Sequence, residues 1–448
     1  MNAIVNIGTE IINRVDPHYV SFAIDTAQIV GGKWWAPNFR FNIKPATKKV
    51  DPIDLHNKKL IQLARQLSPA YLRIGGSDAD FVYYQFTKEE NAPPLYKHIL
   101  TKERIDEIIT FAEACGMEII FNLNAGPANR KKKKFIDKNA LELIQYASEK
   151  IRVWELGNEI NGFIAMHGLQ HRISGKQYAH DYAQLKNKLD PHLQLIGPSC
   201  LFWPRIGEVF GITKKFIKNL QTPPDILSWH YYPQQSNRFF GRVRPARYYK
   251  SYKKRYLNDV QRWAKKMRKF QTDSTPTSQL WMTETGHAMF GGQQKHSNRY
   301  IAGIWWLDLL GTLARMHHQV VIRQTLIGSD YGIIDDHTLE PNPDYHNSLL
   351  WKECMGTKVF QANSDNPYLR VYAHSSNIKT HDIALLAINI HKKQTINLKI
   401  PQGMIKKYYH CSAKNIRGKK IDINEETCHQ QTFTLPPLSY AFFLIKKI

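Results

Sequence analysis

Between about residue 18 and residue 355, short β-branched runs alternate with longer amphipathic stretches, and this alternation limits the fold more than any other feature of the sequence. The runs YVSFAID, AYLRIGG, MEIIFNLN, IRVWELGNE, LQLIGP, ILSWHYY, QLWMTE and QVVIRQTL read as eight strands. Each leads through polar loop residues into a helical pattern, of which ERIDEIITFAEACG and RYIAGIWWLDLLGTLARM are examples. Strand–helix alternation implies a parallel sheet, because parallel neighbours need a crossover that a helix supplies. Eight such units predict an α/β protein with a (β/α)8 TIM barrel and inserted loops. An open doubly wound sheet is the alternative, but no GxGxxG follows any of the strands.

After about residue 356 the helical period disappears. KVFQAN, YLRVYAHSS, DIALLAINIH, TINLKI, KKYYHCSA, QTFTL and YAFFLIKK alternate and end in turn residues, which predicts a C-terminal antiparallel β-sandwich domain. The expected division is a barrel over 14–355 and a sandwich over 356–448. Residues 1–13 (MNAIVNIGTEIIN) alternate similarly and are expected to lend the sandwich a strand.

Composition bears on partners rather than on fold. The 448 residues carry a formal net charge of +24, which favours a polyanion: nucleic acid, an anionic membrane surface or an acidic polysaccharide. Arg130 and Lys131 to Lys134 form one basic run, and between Pro233 and Lys269 thirteen Lys/Arg face one acidic residue, Asp259. A solvated, lysine-rich surface is the bland account of both. Arg238, Arg242, Arg244 and Arg247 interleave with aromatic residues that are able to stack on bases, but no nucleic-acid motif accompanies them, so no specific nucleic acid is expected. No run approaches the ~18 apolar residues of a spanning helix. The N-terminus lacks a basic start followed by an apolar core, so no signal peptide is read. Cys115, Cys200, Cys354, Cys411 and Cys428 show no metal-ligand spacing; buried thiols are expected, and a Cys411–Cys428 bridge stays open.

Catalytic groups of a (β/α)8 barrel project from the C-terminal ends of its strands. The fourth run ends in Asn158-Glu159, and the seventh in Thr283-Glu284-Thr285. Two carboxylates from separate strand ends facing one cavity are the minimum equipment of a glycosidase: one protonates the leaving oxygen, and the other attacks or activates water. No metal or organic cofactor is implied, since neither step needs one.

WELGNEINGF, TETGHAMFGG and YLRIGGSDADF, in that chemistry's positions, resemble the corresponding motifs of the heparanase family, glycoside hydrolase family 79, whose activity is retaining endo-β-glucuronidase. The resemblance continues through SWHYYP, VVIRQTLIG, PNPDYHNSLLWKECMGTKVF and the ending LPPLSYAFFLIKK, so it covers nearly the whole chain. It implies Glu159 as general acid/base and Glu284 as nucleophile, with Asn158 touching the sugar. It also implies that Tyr232 orients the nucleophile, that His230 lines the subsite, and that Asp25 and Ser77 contact hydroxyls. Tyr331, Gly291 and Gly292 match the elements that hold a glucuronate carboxylate through a phenol and backbone N–H groups. Two departures stand out: Phe290-Gly291-Gly292 replaces a GGG run, and Gly328-Ser329-Asp330-Tyr331 is one residue shorter than the family's loop. Asp330 would repel a substrate carboxylate unless it turns away. Further out, Arg205, Arg238, Lys131 and Lys132 are expected to flank the cleft and track an anionic chain.

The reading is thus an endo-β-glucuronidase on heparan-sulfate-like chains, acting as a monomer. The alternatives are an exo-β-glucuronidase on other glucuronides and a non-catalytic heparin-binding homologue. Such a substrate points to secreted or extracellular action, although no signal peptide is read. The segment FTKEENAPP at 86–94 stands where mammalian members carry a long excised linker. The uncleaved chain is therefore expected to be active; activity appearing only after proteolysis near residues 86–95 would contradict this.

Overall fold

The computed structural model describes residues 1–36, 46–87 and 92–447; most of the replacement for the excised linker, residues 88–91, lies outside the described residues. Eight parallel strands form the barrel: Val20–Asp25, Ala70–Gly75, Met117–Leu123, Val153–Leu156, Gln194–Trp203, Ile226–Tyr231, Gln279–Thr285 and Val320–Arg323. The eighth pairs with the first, and the fourth with the fifth, so the sheet closes on itself. All eight predicted runs supply these strands.

Inside the barrel, one apolar layer draws on every strand: Ala23, Tyr71, Ile120, Val153, Ile196, Ile226, Trp281 and the pair Val320 and Ile322. Side chains alternate across a strand, so the positions two residues further on face the same interior. In seven strands those positions carry Asp25, Arg73, Asn122, Glu155, Ser228, Thr283 and Gln324, all buried. An apolar plug therefore lies beneath a polar layer at the C-terminal end of the barrel.

The second unit is a nine-stranded sheet. Its centre runs Tyr440–Lys447, Ile383–Asn389, Leu369–Ser376, Met355–Ser364 and then Asn2–Arg14, whose first residues pair in parallel with Ile396–Lys399. Residues from both ends of this order, including Val5, Leu398, Leu435 and Ile405, share one core, so the sheet folds over on itself as a sandwich. In the strand Ile383–Asn389, Ile383, Leu385 and Ala387 face that core, whereas Ala384, Leu386 and Ile388 face the barrel. The edge strand Asp422–Gln430 has no counterpart in the sequence reading. It is mostly exposed and polar, and so lacks the alternation that marks the others.

The helix Tyr300–Arg315 lies between barrel and sheet, buried at every position except Arg315, as a helix apolar all round must be. Tyr372 of the sheet lies over Gly311 of this helix and donates to Asp308 (2.6 Å), which also accepts from Arg370. All five cysteines are free, which answers the question of a Cys411–Cys428 bridge. Cys411 packs toward the barrel core and Cys428 against the sandwich core, on opposite faces of the sheet. Among the described residues, no helix is long and apolar enough to cross a membrane.

A Cβ at Gly311 would come within 2.1 Å of the Tyr372 ring. Replacing glycine by alanine within a helix normally gains up to about 1 kcal/mol, whereas overpacking costs about 1–3 kcal/mol. Gly311→Ala should therefore lower the thermal midpoint; a raised midpoint would show that the two units are not held through this contact.

Candidate active site

The polar layer ends in two glutamates. Glu159 follows the fourth strand in left-handed backbone (φ 50°, ψ 56°), which is uncommon for a residue with a side chain. Its amide donates to the Ser199 carbonyl (3.2 Å), and its carbonyl accepts from the Gly162 amide (2.6 Å). Before it, Asp80 accepts from the amides of Asn158 (3.0 Å) and Ala125 (2.8 Å), tying down the turn that aims Glu159. Glu284 owes its place to an irregularity in the seventh strand. Trp229 pairs with Met282 but His230 with Glu284, so Thr283 is the extra residue of a bulge. Bulges of this kind re-aim side chains beside active sites.

Arg73, fully buried, connects these parts. Its Nε donates to Glu155 (2.7 Å), one terminal nitrogen to Glu284 Oε2 (2.9 Å), and the other to the Asn158 side-chain oxygen (2.9 Å). Burial works against its charge, but Glu155 and Glu284 outweigh burial and raise its pKa above the ordinary arginine value. Glu155 also accepts from the Ser199 hydroxyl. Glu284 Oε1 accepts from Tyr232 (2.6 Å), so this carboxylate receives donors on both oxygens.

Among the described residues, no lysine or arginine donates to Glu159. Burial, reinforced by nearby Glu284, pushes its carboxyl well above the usual carboxylate range. Its neighbour is His230, whose Nδ1 lies 3.2 Å from Glu159 Oε1 and whose Nε2 lies 3.1 Å from the Thr283 hydroxyl. Burial and then Arg73 push the imidazole well below its ordinary value, so it is neutral. The Thr283 hydroxyl both donates and accepts, so His230 can accept from a protonated Glu159 as the Nε2–H tautomer and donate to an ionised one as the Nδ1–H tautomer. Glu159, His230 and Glu284 each present a potential ligand atom within 4.8 Å of the others.

A cavity of about 460 Å³ opens over the two glutamates. Asp25, Ser77, Tyr232 and Tyr331 line it, together with Trp35, Met166, Trp203, Phe239, Phe290 and Gln324. Asp25 accepts from the Ala27 amide (2.9 Å) and Gln324 (2.9 Å); burial, then Asp78 and Glu284, push its pKa up to about 8. The Tyr331 hydroxyl accepts from the Trp35 indole (2.9 Å).

Three expectations need correction. His230 does not line the cavity; it is buried behind Glu159, held by the register of its strand. Arg238 does not flank the cleft as a free cation. It is buried and donates to the carbonyls of Ala36, Phe290 and Gly292 and to Asp330 (2.6 Å), clamping loops together. Asp330 is thereby turned into an ion pair. The Gly292 amide is already used, donating to the Ala288 carbonyl (3.0 Å), and neither Gly291 nor Gly292 is among the lining residues. Arg205 and Lys132, on turns, and Lys131, in the short strand Arg130–Lys131, are exposed and lie outside the lining as well.

Residues 3–311 match the family model described as glycosyl hydrolase family 79, N-terminal domain. The chain belongs to glycosyl hydrolase family 79. It is accordingly a glycoside hydrolase. Bovine heparanase (Bos taurus) is 27% identical over 524 residues, covering 97% of this chain and 89% of the relative. Inactive heparanase-2 of Homo sapiens is 26% identical over 502 residues, covering 88% of this chain and 83% of the relative. The fold is shared with the crystal structure of an α-L-arabinofuranosidase from Thermotoga maritima in complex with arabinose, at a TM-score of 0.70 and 14% identity over 99% of each chain.

The sequence reading of this family 79 chain missed Arg73, Glu155, Thr283 and Gln324 as parts of the site. The signal for the first two was present: a charged residue inside an otherwise apolar strand, as in AYLRIGG or RVWELG, is tolerable only if paired. If Glu159 must be protonated to act as the acid, activity falls as pH rises through its elevated pKa. Removing the Tyr232 hydroxyl leaves that alkaline limb in place, since Tyr232 donates to Glu284. Tyr232→Phe should therefore lower kcat while the limb persists; a kcat/KM profile flat to alkaline pH in the native enzyme would contradict the role of Glu159.

Proposed function

We propose that the chain is a retaining β-glucuronidase that cleaves within acidic polysaccharides of the heparan sulfate kind, with Glu159 as acid/base and Glu284 as nucleophile. The observation that carries this reading is the closeness of the two carboxylates, with one oxygen from each within 4.8 Å. Retaining glycosidases hold theirs about 5–5.5 Å apart, and inverting enzymes leave about 6.5–9.5 Å for a water. The pattern of protons agrees. Glu284, fed by Arg73 and Tyr232, is equipped to attack the anomeric carbon, while Glu159, pushed toward its neutral form, gives its proton to the leaving oxygen. In the second step Glu159 takes a proton from water, which opens the glycosyl ester on Glu284.

Sugar hydroxyls fall to Asp25 and Ser77, whereas Asn158, expected to touch the sugar, is buried outside the lining with its side-chain oxygen taken by Arg73. Tyr331 is placed for the uronate carboxylate, with Gly291 on the adjoining loop, and pairing Asp330 with Arg238 removes a repulsive charge from that side. We assign these tasks to the barrel, 14–355, and a supporting role to 356–448. The bovine relative named heparanase favours the polysaccharide substrate, as does the +24 charge.

The relative named inactive heparanase-2 gives weight to a second reading, a non-catalytic glycan-binding homologue. Hydrolysis of defined heparan sulfate oligosaccharides and of a chromogenic monoglucuronide separates the possibilities. Internal cleavage is expected, falling to background in Glu284→Gln. Glu159→Ala should lose about 10²–10⁴-fold on the oligosaccharide but much less on an activated aryl glucuronide, and should recover with azide. Terminal release alone would replace endo by exo action, and heparin binding without turnover would favour the non-catalytic homologue.

A further inference from the structure

Of the thirteen Lys/Arg between Pro233 and Lys269, only some are spent inside the protein. Arg238 and Arg244 are buried in ion pairs with Asp330 (2.6 Å) and Asp259 (3.2 Å). Lys253 and Lys254 are exposed instead, and they border a seam between the barrel and the sheet. Two hollows of about 400 and 420 Å³ lie along this seam, and Lys254 lines both. The first is walled by Tyr248, Tyr249 and Tyr252 on the barrel side and by Tyr368, His391 and Lys392 on the sheet side. Tyr368 is 41% exposed, an unusual place for so large a ring, and meets His391 edge to face at 4.6 Å. The amides of Lys393 and Gln394 donate to His391 Nδ1 (3.1 and 2.8 Å), so the proton of the neutral imidazole sits on Nε2, which remains a donor. The second hollow adds Lys265 and Arg315 from the barrel helices and the side-chain amides of Gln361 and Asn363 from the sheet. Among the described residues lining the two hollows there is no aspartate or glutamate. Tyr248 stacks on His296 (6.3 Å between centroids, 23° between planes), which follows the seventh strand, so the seam starts on the face of the barrel that carries the cavity.

Resting on the acidic polysaccharide proposed as substrate, we infer that this seam is a second, non-catalytic binding site for the same polymer. Tyrosine rings pack on the C–H faces of sugars, while phenols, His391 Nε2–H and the lysines meet hydroxyls, carboxylates and sulfates. A nucleic acid would be drawn by the same charge, but the rings meet edge to face (Tyr248 and Tyr249 at 6.0 Å and 80°) and offer no parallel slot for a flat base. A puckered sugar suits such mixed faces and phenol edges better. Anchoring a long chain at the seam raises its effective concentration at the barrel mouth, whereas a short substrate occupies the cavity alone.

Lys254→Glu and Tyr368→Ala should each weaken binding of heparan sulfate chains about tenfold, measured by equilibrium titration in the Glu284→Gln background so that no chain is cut. In the otherwise native enzyme the same substitutions should raise KM for the chains and leave kcat/KM for a chromogenic monoglucuronide unchanged. Lys399→Glu, the same charge change on the strand Ile396–Lys399 outside the seam, should cost about twofold or less. An equal loss in Lys399→Glu would reduce the effect to diffuse charge and overturn the inference, as would unchanged binding in Tyr368→Ala. Duplex DNA bound as tightly as the chains, and weakened equally by Tyr368→Ala, would overturn the assignment to a polysaccharide. Loss of binding in both seam variants, with no turnover of any substrate by the native chain, would remove the glucuronidase reading and leave the seam standing.

Discussion

The site depends on how one buried cation is shared. Arg73 donates to Glu155, Glu284 and Asn158 from inside the barrel, where water cannot compensate an unpaired charge. Two carboxylates claim the guanidinium, and among the described residues Glu159 and Asp25 pair with no lysine or arginine. Their elevated pKa values follow first from burial, reinforced by Glu284 and, for Asp25, more strongly by Asp78. Two chemically identical side chains a few ångströms apart are thus given opposite surroundings by the placement of a third residue. Breaking this network by removing only Arg73 would strand Glu155 and Glu284, and the loss of a buried partner costs about 3–5 kcal/mol.

The barrel supports that arrangement through its layers. The apolar plug fixes strand register, and because side chains repeat every second residue, register alone brings Arg73, Glu155 and Thr283 to one level. The bulge at Thr283 and the left-handed backbone of Glu159 then adjust the two glutamates individually. The sandwich acts at a distance: it covers the helix Tyr300–Arg315, whose unbroken apolar surface could not face water.

Much of this was legible in the sequence, and the limits have physical causes. Strands buried on both faces read as continuous apolar runs, so the eight barrel strands stood out, as did IALLAIN in the sheet. Asp422–Gln430 did not, because an exposed edge strand has no buried face to impose a pattern. Glu159 and Glu284 were visible because position at a strand end and residue type agree. Arg238 and His230 were misread for the opposite reason. Their residue types suit substrate binding, but whether a side chain reaches substrate depends on which neighbours consume it. Asp330 takes up Arg238, and Thr283 with Glu159 enclose His230.

The central claim is that Glu284 attacks and Glu159 does not. It is tested most directly by trapping the intermediate with an activated 2-deoxy-2-fluoro-glucuronide and locating the adduct by peptide mass spectrometry. A single glycosyl ester on the peptide that carries Glu284 is the predicted result. An adduct on Glu159, or hydrolysis with inverted anomeric configuration and no covalent species, would contradict it.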